Sequence, residues 1–289
     1  MSDPIFFATQ DNAVTELHEL RAAALQNLLI ADPSDKVTGV ARLAADAKAG
    51  ALSLMVGASL MDAVEVSLIP GRPLLPELVA PRLLKRRSMR TDEGRAALIH
   101  ALAHIEFNAI NLALDAICRF ADMPPEYYTD WLKVAAEEAY HFSMLVQHLQ
   151  TLGHAYGDFQ AHGSMWEMAE KTQQDVLARM ALVPRLLEAR GLDATPSTRA
   201  KLAQAGDMPA AAILDIILRD EVGHVAIGNH WYGWLCAARG LEPVATFAAL
   251  LVQYEAPKLR GPFNLPARRE AGFSEDELTA LQQTAEQIA

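Results

Sequence analysis

The sequence lacks the features of disulfide-stabilised, membrane-spanning and secreted proteins. It has 2 cysteines among 289 residues, and both lie in segments of helical composition, which favours free thiols in a reducing compartment over a disulfide framework. The most apolar run, residues 51–61, is about half as long as a membrane-spanning helix. The N-terminus lacks the basic and apolar regions of a signal peptide. We therefore expect a cytoplasmic protein that makes no membrane contact.

Positive charge and strand signals are also scarce. The formal net charge is −11, which argues against a broad nucleic-acid-binding surface, and no turn dipeptide separates segments of alternating hydrophobicity. Hydrophobic residues make up 51% of the chain, which is enough for a packed core. The abundance of alanine, leucine and glutamate favours helix. The sequence therefore predicts an all-α protein.

The N-terminal part is predicted to be helical at first and irregular later. Residues 12–29 and 36–49 have helical composition, and residues 52–66 form either a third helix or an irregular buried stretch. Four prolines between residues 70 and 81 exclude a regular helix, so we predict an arm that packs across the protein. Its basic run is interpreted as a solvated face or as partners for acidic side chains, with an anion or RNA contact as the alternative. This run consists of Arg82, Lys85, Arg86, Arg87 and Arg90.

Four long helical segments follow the arm, each bounded by proline, glycine or a polar connection. A short helix is predicted to start at Thr195, where an N-cap residue precedes Pro196 at the first helical position. Beyond the fourth long segment we predict a helix over 242–252, a second irregular arm over 259–273, and a last helix that opens with a capping box at Ser274. The four long segments are residues 91–121, 125–152, 164–190 and 207–239.

Two of the long helices contain the motif Glu-x-x-His, as Glu138–His141 and Glu221–His224. The two residues of each motif are three positions apart and share one face of a helix. Both motifs lie within apolar stripes that are predicted to face a core. A buried carboxylate without a partner costs several kcal/mol, so it needs a cation or a proton. The repeated motif therefore predicts a metal site.

The other two long helices each offer one more carboxylate. Glu106 is the sole acid on the apolar face of the first, and Glu188 is the candidate on the third, with Glu167 and Glu170 as its rivals. Glu106 precedes Glu138 by 32 residues. Glu188 precedes Glu221 by 33, so the ligands of each helix pair reach a similar height when the pair folds back on itself. Four glutamates and two histidines are the ligand set of carboxylate-bridged di-metal bundles.

An acidic residue directly precedes each motif, Glu137 in one case and Asp220 in the other. One residue back is about 100° around a helix. Each acid is therefore predicted to accept a hydrogen bond from the outer ring nitrogen of the histidine on the facing helix, which would fix that histidine's tautomer.

Carboxylate and imidazole ligands suit iron or manganese, and no thiolate accompanies them. We predict two iron ions, with manganese or a mixed iron and manganese pair as the alternatives. His100 and His104 lie on another face of the first long helix and are interpreted as an interface with the N-terminal helices, with a second metal site as the alternative. Tyr140 is interpreted as a packing residue.

The segments that carry these residues resemble the ferritin-like superfamily and, more specifically, the domain-of-unknown-function 455 family. The resemblance implies a ferritin-like four-helix bundle with extra N- and C-terminal helices and two irregular arms. LLEARG resembles the third-helix glutamate segment of tRNA-modifying di-iron hydroxylases, which favours Glu188, and DEVGH resembles the fourth-helix motif of di-iron oxidases. Long additions at both ends argue against iron storage. The matching segments are TDEGRAALIHALAHIEFNAINLALDAI, DWLKVAAEEAYHF, WEMAEKTQQDVLARMALVPRLLEARGLD and ILRDEVGHVAIG.

We therefore predict an oxygen-activating di-iron oxidoreductase, similar to hydroxylases and oxygenases, that acts on a small molecule with O2 or peroxide. A non-catalytic iron- or manganese-binding or peroxide-scavenging protein is one alternative, and a helical scaffold whose buried acids pair with arginine is another. Residues 1–90 are predicted to pack on a central bundle over 91–240 that holds the metals, and residues 241–289 form a C-terminal extension. The sequence leaves the substrate and the oligomeric state open.

Overall fold

The structure, a computed structural model, describes residues 18–286 apart from 58, 62, 63 and 86. This described part is mostly helical, which confirms the predicted all-α class. Its elements are, in chain order, β1 (His18–Glu19), α1 (Leu20–Leu29), α2 (Pro33–Lys48), β2 (Leu52–Ser53), α3 (Asp92–Arg119), α4 (Pro125–Thr151), α5 (Ser164–Lys171), α6 (Val176–Leu182), a π-helical segment (Val183–Glu188), α7 (Ala189–Gln204), α8 (Met208–Ala238), α9 (Pro243–Gln253), α10 (Leu265–Glu270) and α11 (Glu275–Glu286).

The N-terminal part holds two helices and one small strand pair. α1 and α2 lie where helices are predicted, although residues 12–17 of the first prediction are outside the described residues. β1 and β2 pair in parallel, with His18 opposite Leu52. The expectation of a chain without strands is therefore wrong at this point, because two-residue strands are too short to show alternating hydrophobicity.

The proline-rich arm between β2 and α3 is irregular, as predicted. It contains 3-10 turns at Val66–Leu68 and Pro81–Leu83. Leu78 forms an isolated β-bridge with Ala161, which joins the arm to the connection between α4 and α5. The described residues between β2 and Glu65 form no α-helix, and they are exposed or half-buried rather than buried as expected.

The basic run of the arm lies at the protein surface. Arg82, Lys85 and Arg90 are exposed, and Arg87 forms an ion pair with Glu93 at 3.1 Å. Arg86 is outside the described residues. Arg87 thus behaves as a partner for an acidic side chain.

α3 and α4 form the centre of the molecule and pack along each other. Thr91 caps α3 by accepting a hydrogen bond from the backbone of Gly94, and Pro125 occupies the first position of α4, where a missing N–H costs nothing. By length and composition α3 would cross a membrane, but 67% of its apolar window is buried inside the protein. α8 and α9 pass the same test together, yet they meet at 103°. The apolar surface of α3 therefore belongs to the protein core.

The third long segment differs from its prediction. A single helix over 164–190 is expected, but the chain breaks after α5 and resumes at α6, where the Asp175 side chain accepts from the backbone of Leu177. A π-helical turn follows at Val183–Glu188. Pro184 lies in this turn and has no N–H to continue an α-helical ladder. The segment that carries Glu188 is therefore irregular next to the predicted metal site.

The predicted stop at Gly191 and the new helix at Thr195 are also wrong, because α7 runs through both positions and through Pro196. Proline inside a helix leaves the carbonyl four residues back without its donor. That carbonyl belongs to Leu192, and the side chain of Asn264 donates to it at 3.1 Å. A distant residue thus replaces the lost hydrogen bond and allows the helix to continue.

The C-terminal part consists of α9, α10 and α11. The predicted helix over 242–252 corresponds to α9, whereas the predicted irregular arm over 259–273 contains the short helix α10. The capping box is confirmed, since Ser274 N donates to Glu277 Oε2 at 2.8 Å and Glu277 N donates to Ser274 Oγ at 3.3 Å.

Candidate metal centre

The six candidate ligands are buried and come from four different segments of the chain. α3 contributes Glu106, α4 contributes Glu138 and His141, the π-helical segment ends at Glu188, and α8 contributes Glu221 and His224. The ligand atoms of four of these residues lie within 4.8 Å of one another. These four are Glu106, Glu138, His141 and Glu221.

Glu138 occupies the middle of the cluster. Its Oε2 lies 3.5 Å from Nδ1 of His141, and its Oε1 lies 3.0 Å from Nδ1 of His224. Nδ1 of His141 also contacts Glu106 Oε2 at 3.2 Å, and Nδ1 of His224 lies 3.9 Å from Glu221 Oε1. Each histidine therefore turns the same ring nitrogen towards the glutamates, and Glu138 lies between the two.

The outer ring nitrogens contact the two acids that precede the motifs. Nε2 of His141 lies 3.1 Å from Asp220 Oδ2, and Nε2 of His224 lies 2.8 Å from Glu137 Oε2. Each acid belongs to the helix facing its histidine. Arg219 in turn donates to both oxygens of Asp220. The hydrogen bonds of the outer nitrogens fix both rings so that Nδ1, the ligand atom, faces the glutamates.

Several ligand atoms in this cluster have no hydrogen-bond partner among the described residues. Burying a polar atom without a partner costs about 1–3 kcal/mol, and more for a charged group. Nδ1 of His224 approaches Glu138, but the contact lacks the geometry of a hydrogen bond. The unpartnered atoms are Glu138 Oε1 and Oε2, Glu188 Oε2, Glu221 Oε2 and His224 Nδ1. A cation among these atoms would satisfy them, so the residues present fit a metal.

The protonation of the cluster reflects crowded carboxylates. Burial, and then the charge of Glu138, raises the pKa of Glu106 to about 8. The same two influences raise the pKa of Glu221 well above its usual value. Burial alone would raise the pKa of Glu138, but the charge of His224 and the contacts with both histidines outweigh it and lower the pKa. Without a cation, the protein therefore balances this cluster with protons.

Glu188 lies at the edge of the cluster and outside the group of four. Its side chain is buried, and burial followed by the charge of Glu138 raises its pKa to about 8, whereas the charge of His224 acts in the opposite direction. The rivals on the same predicted helix, Glu167 and Glu170, are exposed on α5. Of the three glutamates, Glu188 is therefore the buried one, and its pKa responds to the charges of Glu138 and His224.

One other sequence interpretation needs correction, since Tyr140 is 54% exposed rather than packed.

His100 and His104 on α3 lie against the connection between α4 and α5. His104 hydrogen-bonds with the hydroxyl of Tyr156 at 2.8 Å, and His100 Nε2 accepts from the backbone of Gly157 at 2.9 Å. These histidines thus contact that connection, which folds back over α3.

Gly228 positions the π-helical segment against α8, although it belongs to neither of the Glu-x-x-His motifs. Gly228 lies four residues after His224, and a Cβ added to it would come within 2.5 Å of Pro184 Cβ. The small residue therefore lets the π-helical segment approach α8. A glycine in the middle of a long helical pattern is the signal that would have indicated such a close approach.

The family comparison confirms the resemblance to the domain-of-unknown-function 455 family. A family model described as protein of unknown function (DUF455) matches residues 29–279, and the chain belongs to this family. An uncharacterized protein of Haemophilus influenzae is 53% identical over 220 residues, which cover 74% of this chain and 75% of that protein. No solved structure matches the chain.

Proposed function

We propose that this protein is an oxygen-activating di-iron oxidoreductase built on a ferritin-like four-helix bundle. The observation that carries the proposal is the buried set of unpartnered carboxylate and imidazole atoms around Glu138. A buried set of this kind is costly in a metal-free scaffold. The ion-pair partners of the cluster support the proposal, because among the described residues Glu106 and Glu138 pair with histidines rather than with arginine.

The ligand roles follow from the contacts. Glu138 would hold the metal together with both histidines, since each of its oxygens faces a different histidine. Glu106 would be a ligand together with His141, while Glu188 and Glu221 would be ligands together with His224. Four glutamates and two histidines on four helical segments match the ligand set of di-iron and di-manganese carboxylate proteins. Manganese, or one ion of each metal, would suit the same ligands.

Iron bound by such ligands supplies the redox chemistry with O2, while the protein supplies orientation and a dry site. The chain's own residues perform these tasks. Asp220 and Glu137 hold the two imidazoles by their outer nitrogens. Val134, Ala135, Phe142 and Leu145 flank the first motif on α4 and are buried, which limits the access of water to the ligands.

Metal analysis of the purified protein after anaerobic loading with Fe(II) tests the proposal. We expect about two equivalents of metal per chain, the load of a di-metal bundle, and loss of both in Glu138→Ala/Glu221→Ala. The matched control is Glu167→Ala/Glu170→Ala, which removes two exposed glutamates and should keep the full load. Wild-type protein that binds no metal, or a ligand variant that binds as much as wild type, would exclude the proposed site.

A second measurement separates the oxidoreductase from a protein that merely binds metal or scavenges peroxide. The loaded protein is exposed to O2 or to H2O2, and both the oxidant consumed and the organic products formed are measured. Oxidation of an added organic compound supports the oxidoreductase. Consumption of peroxide without any organic product supports scavenging.

A further inference from the structure

Part of the proline-rich arm is a loop that the fold holds at both ends. At one end the backbone N–H of Gly71 donates to the carbonyl of Leu28 at 2.8 Å. At the other end the backbone N–H of Val79 donates to the carbonyl of Ala161 at 2.9 Å. The residues between these two bonds, 72–78, are therefore anchored to two different parts of the molecule.

The anchored loop exposes leucine side chains to solvent. Leu74 is 100% exposed, Leu75 is 59% exposed and Leu78 is 42% exposed. Leu83, farther along the arm, is 59% exposed. A single exposed leucine is ordinary, whereas several close together mark a surface that interacts with something apolar.

The same arm carries positive charge on an otherwise acidic protein. Residues 66–90 contain six basic residues and one acidic residue, whereas the whole chain has a net charge of −11. Among the described residues of the arm, Arg87 is the only basic side chain in an ion pair, with Glu93 at 3.1 Å. The other described basic side chains are exposed and lack a carboxylate partner among the described residues. They are Arg72, Arg82, Lys85 and Arg90.

Leucines and basic residues of the arm meet at the connection between α4 and α5. A Cβ added to Gly157 would lie 3.1 Å from that of Leu75, and the β-bridge of Leu78 joins the arm to the same connection. The Cζ of Arg87 lies 5.0 Å from the ring centroid of Phe159. The exposed leucines and basic residues of 72–90 therefore lie in one region of the protein, and we call them the arm surface.

The composition of the arm surface indicates what kind of partner it suits. Residues 66–90 contain no aromatic residue, although aromatic side chains are the usual anchors of protein–protein interfaces and the usual stacking platforms for single-stranded nucleic acid. Leucines beside lysine and arginine suit an anionic bilayer. Apolar side chains enter the boundary between headgroups and acyl chains, and the basic side chains attract the lipid phosphates.

We propose that the arm surface binds the protein to the surface of an anionic membrane, with Leu74 and Leu75 inserted at the headgroup boundary. The expectation of no membrane contact rests on the lack of a signal peptide and of a long apolar run, and a contact at the bilayer surface needs neither. None of the six candidate metal ligands lies on the arm, so this proposal does not depend on the metal chemistry.

Sedimentation of the full-length protein with lipid vesicles tests the proposal. Vesicles of equal parts phosphatidylcholine and phosphatidylglycerol should bind the protein at least about ten-fold more tightly than phosphatidylcholine alone, because each basic side chain near an anionic surface strengthens binding about five-fold. High salt should weaken this binding. Wild type that ignores the anionic vesicles, or that binds both kinds equally, would overturn the proposal. Binding to an oligouridine but to neither vesicle would assign the arm surface to nucleic acid instead.

A leucine variant tests the apolar part of the contact. Leu74→Ser/Leu75→Ser should weaken binding to the anionic vesicles at least about ten-fold, since burial of a single leucine contributes about that factor or more. The matched control is Leu241→Ser/Val252→Ser, which changes side chains that are 41% and 80% exposed outside the arm. The control should bind like wild type, and equal losses in the two variants would overturn the proposal.

A charge variant tests the basic part. Arg82→Gln/Lys85→Gln/Arg90→Gln should weaken binding about 100-fold, from about five-fold for each charge. The control Arg190→Gln/Lys201→Gln/Lys258→Gln removes the same charge from exposed positions elsewhere and should have a much smaller effect. Equal effects would show that net charge alone is responsible and would overturn the proposed surface. Metal content, measured in parallel, should be the same in all four variants.

Discussion

Two clusters of buried charge lie on α3, and they are balanced in opposite ways. Asp115 is fully buried, and it accepts hydrogen bonds from Arg119 at 2.6–3.0 Å and from Arg179. Glu106, nine positions earlier on the same helix, faces other carboxylates and a histidine. The sequence provides fixed cations for the first cluster and none for the second.

The pKa values of the two carboxyls reflect this difference. Burial alone would raise the pKa of Asp115, but the charge of Arg179 and the hydrogen bonds of Arg119 outweigh it and lower the pKa. Burial and the charge of Glu138 raise the pKa of Glu106 to about 8. A buried acid with resident arginines stabilises the fold, whereas a buried acid among other acids is suited to a cation from outside.

The largest effect is expected when the balanced cluster is broken. Asp115→Asn leaves the buried guanidinium of Arg179 and the partly buried one of Arg119 without their counter-charge, and removing one partner of a buried ion pair costs about 3–5 kcal/mol. Urea unfolding of the metal-free protein measures this cost. The control is Asp215→Asn, which breaks the exposed pair with Arg199 and should change the free energy of unfolding little. Equal effects of the two substitutions would contradict the comparison.

The next largest effect is expected when the π-helical segment that ends at Glu188 is pushed away from α8. Gly228→Ala would push a Cβ against Pro184, and overpacking of this kind costs about 1–3 kcal/mol. The displaced π-helical segment should also weaken metal binding. Gly233→Ala, on the same helix with no neighbouring atom within 4 Å of the added Cβ, should do neither. Thermal unfolding and metal titration of both variants check this, and normal behaviour of Gly228→Ala would remove the positioning role.

A smaller effect is expected from the acids behind the histidines. Asp220→Asn and Glu137→Gln replace the acceptors of the two outer ring nitrogens, and such changes weaken metal affinity about 10–100-fold. Competition with a metal chelator measures the affinity. Glu126→Gln, at an exposed position of α4, is the control and should bind metal like wild type. Unchanged affinity in both variants would leave these contacts with a purely structural role.

The smallest effect on stability is expected from replacing the buried carboxyl of Glu221 by a neutral amide. Glu221 has a strongly raised pKa because of burial and the charge of Glu138, so the folded metal-free protein keeps a proton there that the unfolded chain releases above pH about 4.3. Its contribution is therefore greatest below that pH and is lost as pH rises through the raised pKa. Glu221→Gln should leave metal-free stability unchanged or raise it at pH 8, yet reduce metal binding.

The thermal stability of the metal-free protein should change with pH in the same direction. Glu106 and Glu188 have pKa values raised to about 8, mainly by burial. Burial opposes the charged form of His141, but its bonds to Glu106 and Glu138 raise its pKa to about 11. Each of these groups holds a proton in the folded state that the unfolded chain has lost, so thermal stability should decrease from pH 5 to pH 9. Metal loading should reduce this decrease, because ligands bind metal in their deprotonated forms.

Much of the fold could be predicted because helices are encoded locally. The bounds of α3, α4 and α8 lie within about two residues of those predicted, the usual uncertainty of helix ends, since proline, glycine and cap residues mark them. The irregular turn at Val183–Glu188 follows from Pro184, which the sequence shows, but the break between α5 and α6 and the continuation of α7 through Pro196 could not be predicted. The continuation of α7 depends on Asn264, which is 72 residues from Leu192 and supplies the missing donor.

The candidate site, like the fold, is determined partly by local sequence and partly by tertiary packing. Its residue types, their burial and their helix faces follow from the period of the apolar stripe, which the sequence alone determines. The meeting of Glu138 with both histidines, and of Glu188 with the other ligands, depends on how four segments pack. The same is true of the two arginines that balance Asp115. Local sequence sets which groups are buried, and only the tertiary structure decides which partners those groups find, because the partners come from distant parts of the chain.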